Sequence, residues 1–257
     1  MPTNRVLQKL RQGRPVLVPT VWTVPHWKIV EMMGIVGYDG VWVEMEHAAF
    51  TYEQLAQMAL AARATGMDVI VRIARGGYND VIRPLEAGAT GLLLPHCTGA
   101  EDAREFVRMA RFQPLGWRGV GGSVDSRYGT IPFPDYVEWA NREILLAVMI
   151  ERREAVEEVE GIAATEGLDL LFIGPYDLSQ SYGLLGQVEH PVIGEAVERV
   201  AQACAQHGKH WGLSCSSFEQ AQQVFARGAR FFNPTSEMDA LMTGFRSVQQ
   251  QYGRLGK

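Results

Sequence analysis

The segment LLAVMIERREAVEEVEGIAATEGLDLLFIGPYDL, residues 145–178, decides the fold. Two short apolar runs, LLAVMI from Leu145 and LDLLFI from Leu168, are bounded by charge or by Gly-Pro, the pattern of strands in a parallel sheet covered on both faces. Between them, residues 153–166 place apolar side chains at Ala155, Val156, Val159, Ile162 and Ala163, a helical spacing. The unit reads strand, helix, strand. A right-handed crossover sets the two strand ends side by side at one edge of the sheet, so Glu151 and Asp177, which close the two runs, converge in space. Paired carboxylates in that position make a hard, oxygen-rich site suited to Mg²⁺ or Mn²⁺. Acidic residues also close strands as caps or as solvated loop charges, so the pair alone leaves both readings open.

The same alternation runs outward in both directions. Strands are expected at PVLVPT from Pro15, GVWVEME from Gly40, DVIVRI from Asp68 and GLLLP from Gly91, then at KHWGLS from Lys209 and RFFNP from Arg230. Helices are expected from Trp27 until Gly34, from the N-cap Thr51 with Glu53 near the capping-box position, and over residues 79–87, 100–111, 192–207, 218–227 and 238–252. About eight such units in one chain of 257 residues specify an α/β fold of the (β/α)₈ barrel type. No shift of composition marks a second domain, so residues 1–257 read as one. The first strand is not followed by G-x-G-x-x-G, which lowers a doubly wound dinucleotide fold. Residues 112–141 are too long for a simple connection, and Arg118, Ser123 and Arg127 within them are candidates for a substrate anion or a subunit contact.

Hydrophobic residues make up 47% and charged residues 21%, ordinary globular values, and the net charge of −5 without a basic cluster argues against nucleic acid. Three scattered cysteines, Cys97, Cys204 and Cys215, fit a reducing compartment. The polar start gives no signal peptide and no run is long enough to span a bilayer, so a cytoplasmic protein without a membrane partner is expected.

In a barrel, the chemistry sits at the carboxyl ends of the strands. There the second strand brings Glu44, Glu46 and His47, the third Arg72 and Arg75, the fifth Glu151 and the sixth Asp177. A cation on two carboxylates, a guanidinium and an imidazole together suit an enolate held beside a carboxylate.

The blocks VEMEHAAF (through Phe50), VIVRIARG (from Val69), GATGLLLPH (through His96), FQPLGWRGVGG (from Phe112), VMIERREAV (from Val148) and LLFIGPYDLSQSYG (through Gly183) resemble the metal-dependent class II pyruvate aldolases of the HpcH/HpaI type. The resemblance implies reversible cleavage of 4-hydroxy-2-oxo acids to pyruvate and an aldehyde. It implies Mg²⁺, Mn²⁺ or Co²⁺ on Glu151 and Asp177, Arg72 on the enolate oxygen, His47 as the base and Glu44 as the acid that orients it. Gly174 and Pro175 would lie against pyruvate, with Met149 and Leu213 as further substrate-facing positions. A homo-oligomer, hexamer or trimer, with the last helix exchanged between subunits, is implied as well. Two departures stand out: Glu44-Met45-Glu46-His47 where Asp-Gly-Glu-His is commonest, and Met149 where Gln is expected. Bulk at Met45 and Met149 predicts a drier, tighter rim. Oxaloacetate decarboxylation, a citrate-lyase-β-like reaction and a degenerate oxo-acid binder are the alternatives.

Overall fold

The computed structural model describes residues 3–255, and the terminal residues of the expected 1–257 domain lie outside them. Its strands are β1 (Val16–Leu17), β2 (Thr20–Val21), β3 (Gly40–Glu44), β4 (Asp68–Arg72), β5 (Gly91–Leu94), β6 (Leu145–Ile150), β7 (Leu170–Ile173), β8 (His210–Ser214) and β9 (Phe231–Asn233). The first expected strand is split in two at Val18-Pro19, where proline has no N–H to give a ladder. All pairings are parallel, in the order β1-β9-β8-β7-β6-β5-β4-β3-β2. The two ends of that order are halves of one run. Val18 N–H donates to Phe232 O at 2.9 Å on one side, and Pro19 O accepts from Trp42 N at 2.8 Å on the other. The sheet therefore closes into a barrel of eight strand positions, with helices around it.

Side chains alternate across every strand, as a period of two requires. Val16, Val18, Trp42, Ile70, Leu93, Ala147, Met149, Phe172 and Phe231 form one buried cluster inside the barrel. Their neighbours Val41, Val43, Val69, Val71, Leu146, Val148, Leu171 and Ile173 belong to a second cluster between the barrel and the helices. Phe172 meets Trp42 and Phe231 edge-on, with ring centroids 5.1 Å and 5.7 Å apart. Gly212 leaves room beside them: a Cβ there would lie 1.9 Å from the Phe231 carbonyl oxygen.

The helix Arg5–Arg11, not anticipated from the polar start, plugs the end where the strands begin. Val6, Leu7 and Leu10 are buried with the barrel interior. Asn4 caps it by accepting the Leu7 N–H at 2.8 Å, and Asp68 accepts the Val6 N–H at 2.8 Å. The opposite rim is left for chemistry.

Other differences have local causes. The helix Trp27–Val36 runs past Gly34, where a Cβ would strike Thr65 Oγ1 at 2.0 Å, and ends at Gly37 with φ 106°. Gly34 thus serves close helix packing rather than termination. The capping box pairs Thr51 with Gln54, not Glu53. Residues 153–166 form two short helices, Arg153–Glu157 and Val159–Ala163, because Glu158 leaves the helical path and accepts the Ala100 N–H at 3.0 Å. Residues 112–141 enter the helix Phe133–Glu143, and Arg118 lies buried over the Phe112 ring, bonded to Asp125 and to the Tyr136 hydroxyl. Arg118 is thus held within the scaffold of this segment, with its buried Nε and Nη1 left without a hydrogen-bond partner. Ser123 donates to the Glu86 carbonyl, and Arg127 is exposed.

Burial pushes the Asp68 carboxyl up to about 6 from its ordinary 3.8. Between those values the folded chain holds a proton that the unfolded chain releases, so this group's contribution to stability falls as pH rises through the window. Asp68→Asn keeps an acceptor for Val6 and should remove that fall, measured by urea unfolding from pH ~4 to ~7. Parallel profiles for the two proteins would contradict the assignment.

Candidate active site

Glu44 and Arg72 are partners across the β3–β4 ladder and both point inward at the rim. The Glu44 carboxylate is fully buried and accepts four donors. Arg72 Nε donates to Oε2 at 2.6 Å and Trp42 Nε1 at 3.3 Å, while the Glu46 and His47 amides donate to Oε1 at 2.7 Å and 3.0 Å. The Arg72 guanidinium also lies over the Trp42 ring, 5.3 Å from its centroid, and Nη1 is 3.7 Å from the Met149 sulfur. Glu44 therefore fixes Arg72 and the backbone of the His47 turn. It does not reach the His47 ring, which corrects its expected role.

The acid beside that ring is Glu46, with Oε2 3.6 Å from His47 Nε2 and 3.3 Å from Arg72 Nε. Neither approach makes a hydrogen bond, and the buried Glu46 Oε2 has no partner. His47 itself is 60% exposed, so its ring faces the open side of the rim.

Glu151 follows β6 and is buried. Burial pushes its carboxyl up to about 7; the His96 N–H and Arg72 oppose the rise, and the charges of Asp177 and Glu46 add to it. Asp177 sits exposed in the first turn of the helix Pro175–Ser181, which Gly174 opens. A Cβ on Gly174 would lie 2.8 Å from Glu151 Oε2 and 3.3 Å from the Met149 sulfur, so only glycine lets β7 end against this carboxylate. The structure thus brings Glu44, Arg72, Met149, Glu151 and Gly174 together, with Glu46 and His47 beside them.

Leu213 does not join them. It lies on the opposite phase of β8, buried in the cluster between barrel and helices, so the expectation that it faces substrate is corrected by strand alternation. Met45 is out of phase in the same way and packs against the outer cluster. Of the two expected bulky residues, only Met149 narrows the rim.

His96, to which the sequence assigned no role, lies in the middle of the site. Its Nε2 is 3.1 Å from Glu46 Oε1 and its Nδ1 is 3.2 Å from Glu151 Oε1. Its position after an apolar strand was the available signal. Cys97 beside it is buried, and burial pushes its thiol up to about 12, which leaves no thiolate for metal or substrate. Arg75 donates to the Pro95 and His96 carbonyls and pairs with Asp102, a brace for that loop. After β2, Glu237 accepts the N–H groups of Trp22, Thr23 and Val24, while Trp22 and Trp27 remain exposed at the mouth.

The candidate donors, Glu151 and Asp177, are carboxylates, and the buried Glu151 is held through Oε1 while Oε2 faces Gly174, so the residues fit a hard divalent cation. Among the described residues no group of three or more His, Cys, Asp or Glu side chains is arranged to hold a metal ion. A cation here would rest on two carboxylates and draw its other ligands from outside the protein.

A model of the HpcH/HpaI aldolase/citrate lyase family matches residues 24–242. The chain is 34% identical to a 4-hydroxy-2-oxovalerate aldolase of Novosphingobium aromaticivorans, over 90% of this chain and 87% of that protein. It is 33% identical to a hydroxypyruvate/pyruvate aldolase of Delftia acidovorans, over 90% and 86%. A crystal structure of an HpcH/HpaI aldolase from Desulfitobacterium hafniense superposes with a TM-score of 0.92 at 32% identity, covering 97% of this chain and 96% of that one.

Removing one partner of a buried ion pair leaves the other uncompensated. Glu44→Ala should cost ~3–5 kcal/mol in urea unfolding. A loss below ~1 kcal/mol would show that Arg72 is held by other groups.

Proposed function

The chain belongs to the HpcH/HpaI aldolase/citrate lyase family, and from that premise we propose that it is a metal-dependent class II aldolase. It would cleave a 4-hydroxy-2-oxo acid to pyruvate and an aldehyde and run the reverse addition. The observation that carries the reading is the Glu44-held Arg72 guanidinium beside a buried, incompletely satisfied carboxylate pair, Glu46 and Glu151. Glu151 and Asp177 would hold Mg²⁺, Mn²⁺ or Co²⁺. Such a cation acts as a Lewis acid that polarises the 2-oxo group of the substrate.

The remaining work falls to the chain's own residues. Arg72 is fixed by Glu44 and by the Trp42 face, so its free N–H groups are set before substrate arrives. They meet the charge that grows on the C2 oxygen as the C3–C4 bond breaks, an electrostatic contribution that needs no rearrangement. His47 takes the proton of the 4-hydroxyl group while the bond electrons pass to C3 and into the enolate. Its exposure suits a group that must meet an aldehyde arriving from solvent. Protonation at C3 then gives pyruvate. The Gly174-Pro175 backbone lies beside Glu151 and offers a flat wall for the pyruvate carbons. Met149, an apolar neighbour of Arg72, keeps water from the guanidinium but supplies no hydrogen-bond donor.

The last helix, Glu237–Tyr252, supports an assembly. Leu241, Phe245, Val248 and Tyr252 repeat along one face and are exposed, Phe245 at 65%. A second copy of the chain is the proposed cover, in a trimer or hexamer. No helix among the described residues is long and apolar enough to cross a membrane. The three free, buried cysteines accord with a cytoplasmic site.

Metal-stripped enzyme should release no pyruvate from a panel of 4-hydroxy-2-oxo acids, and added Mg²⁺, Mn²⁺ or Co²⁺ should restore release. Arg72→Lys should lower kcat by ~10²-fold or more, because an ammonium lacks the planar fork. Release from oxaloacetate alone would replace the aldolase reading with decarboxylation, and release unaffected by chelation would end the metal assignment. In sedimentation velocity the wild type should run as an oligomer and Phe245→Glu as a smaller species. A monomeric wild type would remove the assembly.

A further inference from the structure

The two oxygens of Glu151 have different surroundings. Oε1 accepts the backbone N–H of His96 at 2.5 Å and lies 3.2 Å from His96 Nδ1. Oε2 is turned toward Gly174, the residue that opens the helix carrying Asp177. The second ring nitrogen of His96 is 3.1 Å from Glu46 Oε1. His96 is itself held firmly. Its backbone has φ 49°, a left-handed conformation that few residues besides Gly and Asn adopt readily, and its carbonyl accepts from Arg75 Nη1 at 2.9 Å.

We propose that His96 is a positioning residue of the cation site. By donating its backbone N–H to Oε1 and setting the ring nitrogen Nδ1 3.2 Å from the same oxygen, it leaves Oε2 as the ligand oxygen of Glu151, turned toward the Gly174 end of the helix that carries Asp177. Its Nε2, 3.1 Å from Glu46 Oε1, sets the ring between Glu151 and Glu46, beside Arg72 and His47. Donors behind a ligand fix its orientation and strengthen its hold on a metal. The proposal rests on Glu151 and Asp177 being the cation's ligands. His96 has no part in proton transfer to substrate.

The strained backbone guides the choice of variants. His96→Gly tolerates the positive φ and keeps the backbone N–H while deleting the ring. His96→Asn also tolerates that conformation, and its side-chain amide reaches the place of Nδ1 but not that of Nε2. The measurement is Mn²⁺ affinity of metal-stripped protein by titration calorimetry, with the melting temperature of each metal-free variant alongside. His96→Gly should weaken Mn²⁺ binding by about 10- to 100-fold, as loss of an outer-shell partner does. His96→Asn should recover most of that affinity, and Glu151→Gln should abolish binding. If His96→Gly binds Mn²⁺ like the wild type while Glu151→Gln does not bind, the role of His96 is wrong and the site reading stands. If Glu151→Gln also binds normally, the site reading falls and takes the proposal with it. Equal losses in His96→Gly and His96→Asn would overturn the Oε1 argument.

Discussion

Three acidic side chains, Glu44, Glu46 and Glu151, stand almost buried at one end of an apolar barrel. Charge in such surroundings is costly unless donors or cations meet it. The three are met unequally. Glu44 has four donors, including the Arg72 guanidinium; Glu46 has an oxygen with none; and Glu151 is anchored through one oxygen only. Satisfaction is therefore complete on the side of the rim held by Glu44 and Arg72 and incomplete on the side of Glu46 and Glu151. The unsatisfied side is where a cation and an anionic substrate would complete the balance. The satisfied side is where the protein has fixed its own guanidinium in advance.

That arrangement depends on strand alternation more than on any loop. Each site residue on a strand or just after one shares the phase of the barrel interior: Glu44 with Trp42, Arg72 with Ile70, Glu151 with Met149, Gly174 with Phe172. The phase is set by apolar residues below the rim, which cannot turn outward without exposing the inner core. The N-terminal helix closes the other end, and Gly212 gives the Phe231 backbone its space.

The barrel was legible in the sequence because each strand is a short apolar run and each connection carries a helical period. The placing of Glu151 and Asp177 at one edge of the sheet was legible because a right-handed crossover sets β6 and β7 side by side. Leu213 and Met45 were misplaced for a reason the same alternation supplies: counting from Gly212 or from Glu44 puts both on the outer face. What the sequence did not reveal depends on long-range hydrogen bonds. The break at Glu158 answers to the Ala100 amide, the passage of a helix through Gly34 answers to Thr65, and the plug answers to Asp68. Glu44 shows the limit most clearly. As an acid two residues before Glu46-His47 it reads as a partner for the imidazole, yet its register partner is Arg72, and the shorter path wins.

Relatives that match over most of their length are named for 4-hydroxy-2-oxovalerate and for hydroxypyruvate/pyruvate, so substrates differ among the relatives of this chain. The proposed reading assigns the oxo-acid half of such chemistry to Arg72, Glu151, Asp177 and the Gly174 backbone. The most direct test is a crystal structure of the protein soaked with Mn²⁺ and pyruvate, with anomalous data collected for manganese. The account predicts one anomalous peak between the Glu151 and Asp177 carboxylates, with pyruvate beside Arg72. A peak elsewhere, or pyruvate bound away from Arg72, would contradict it.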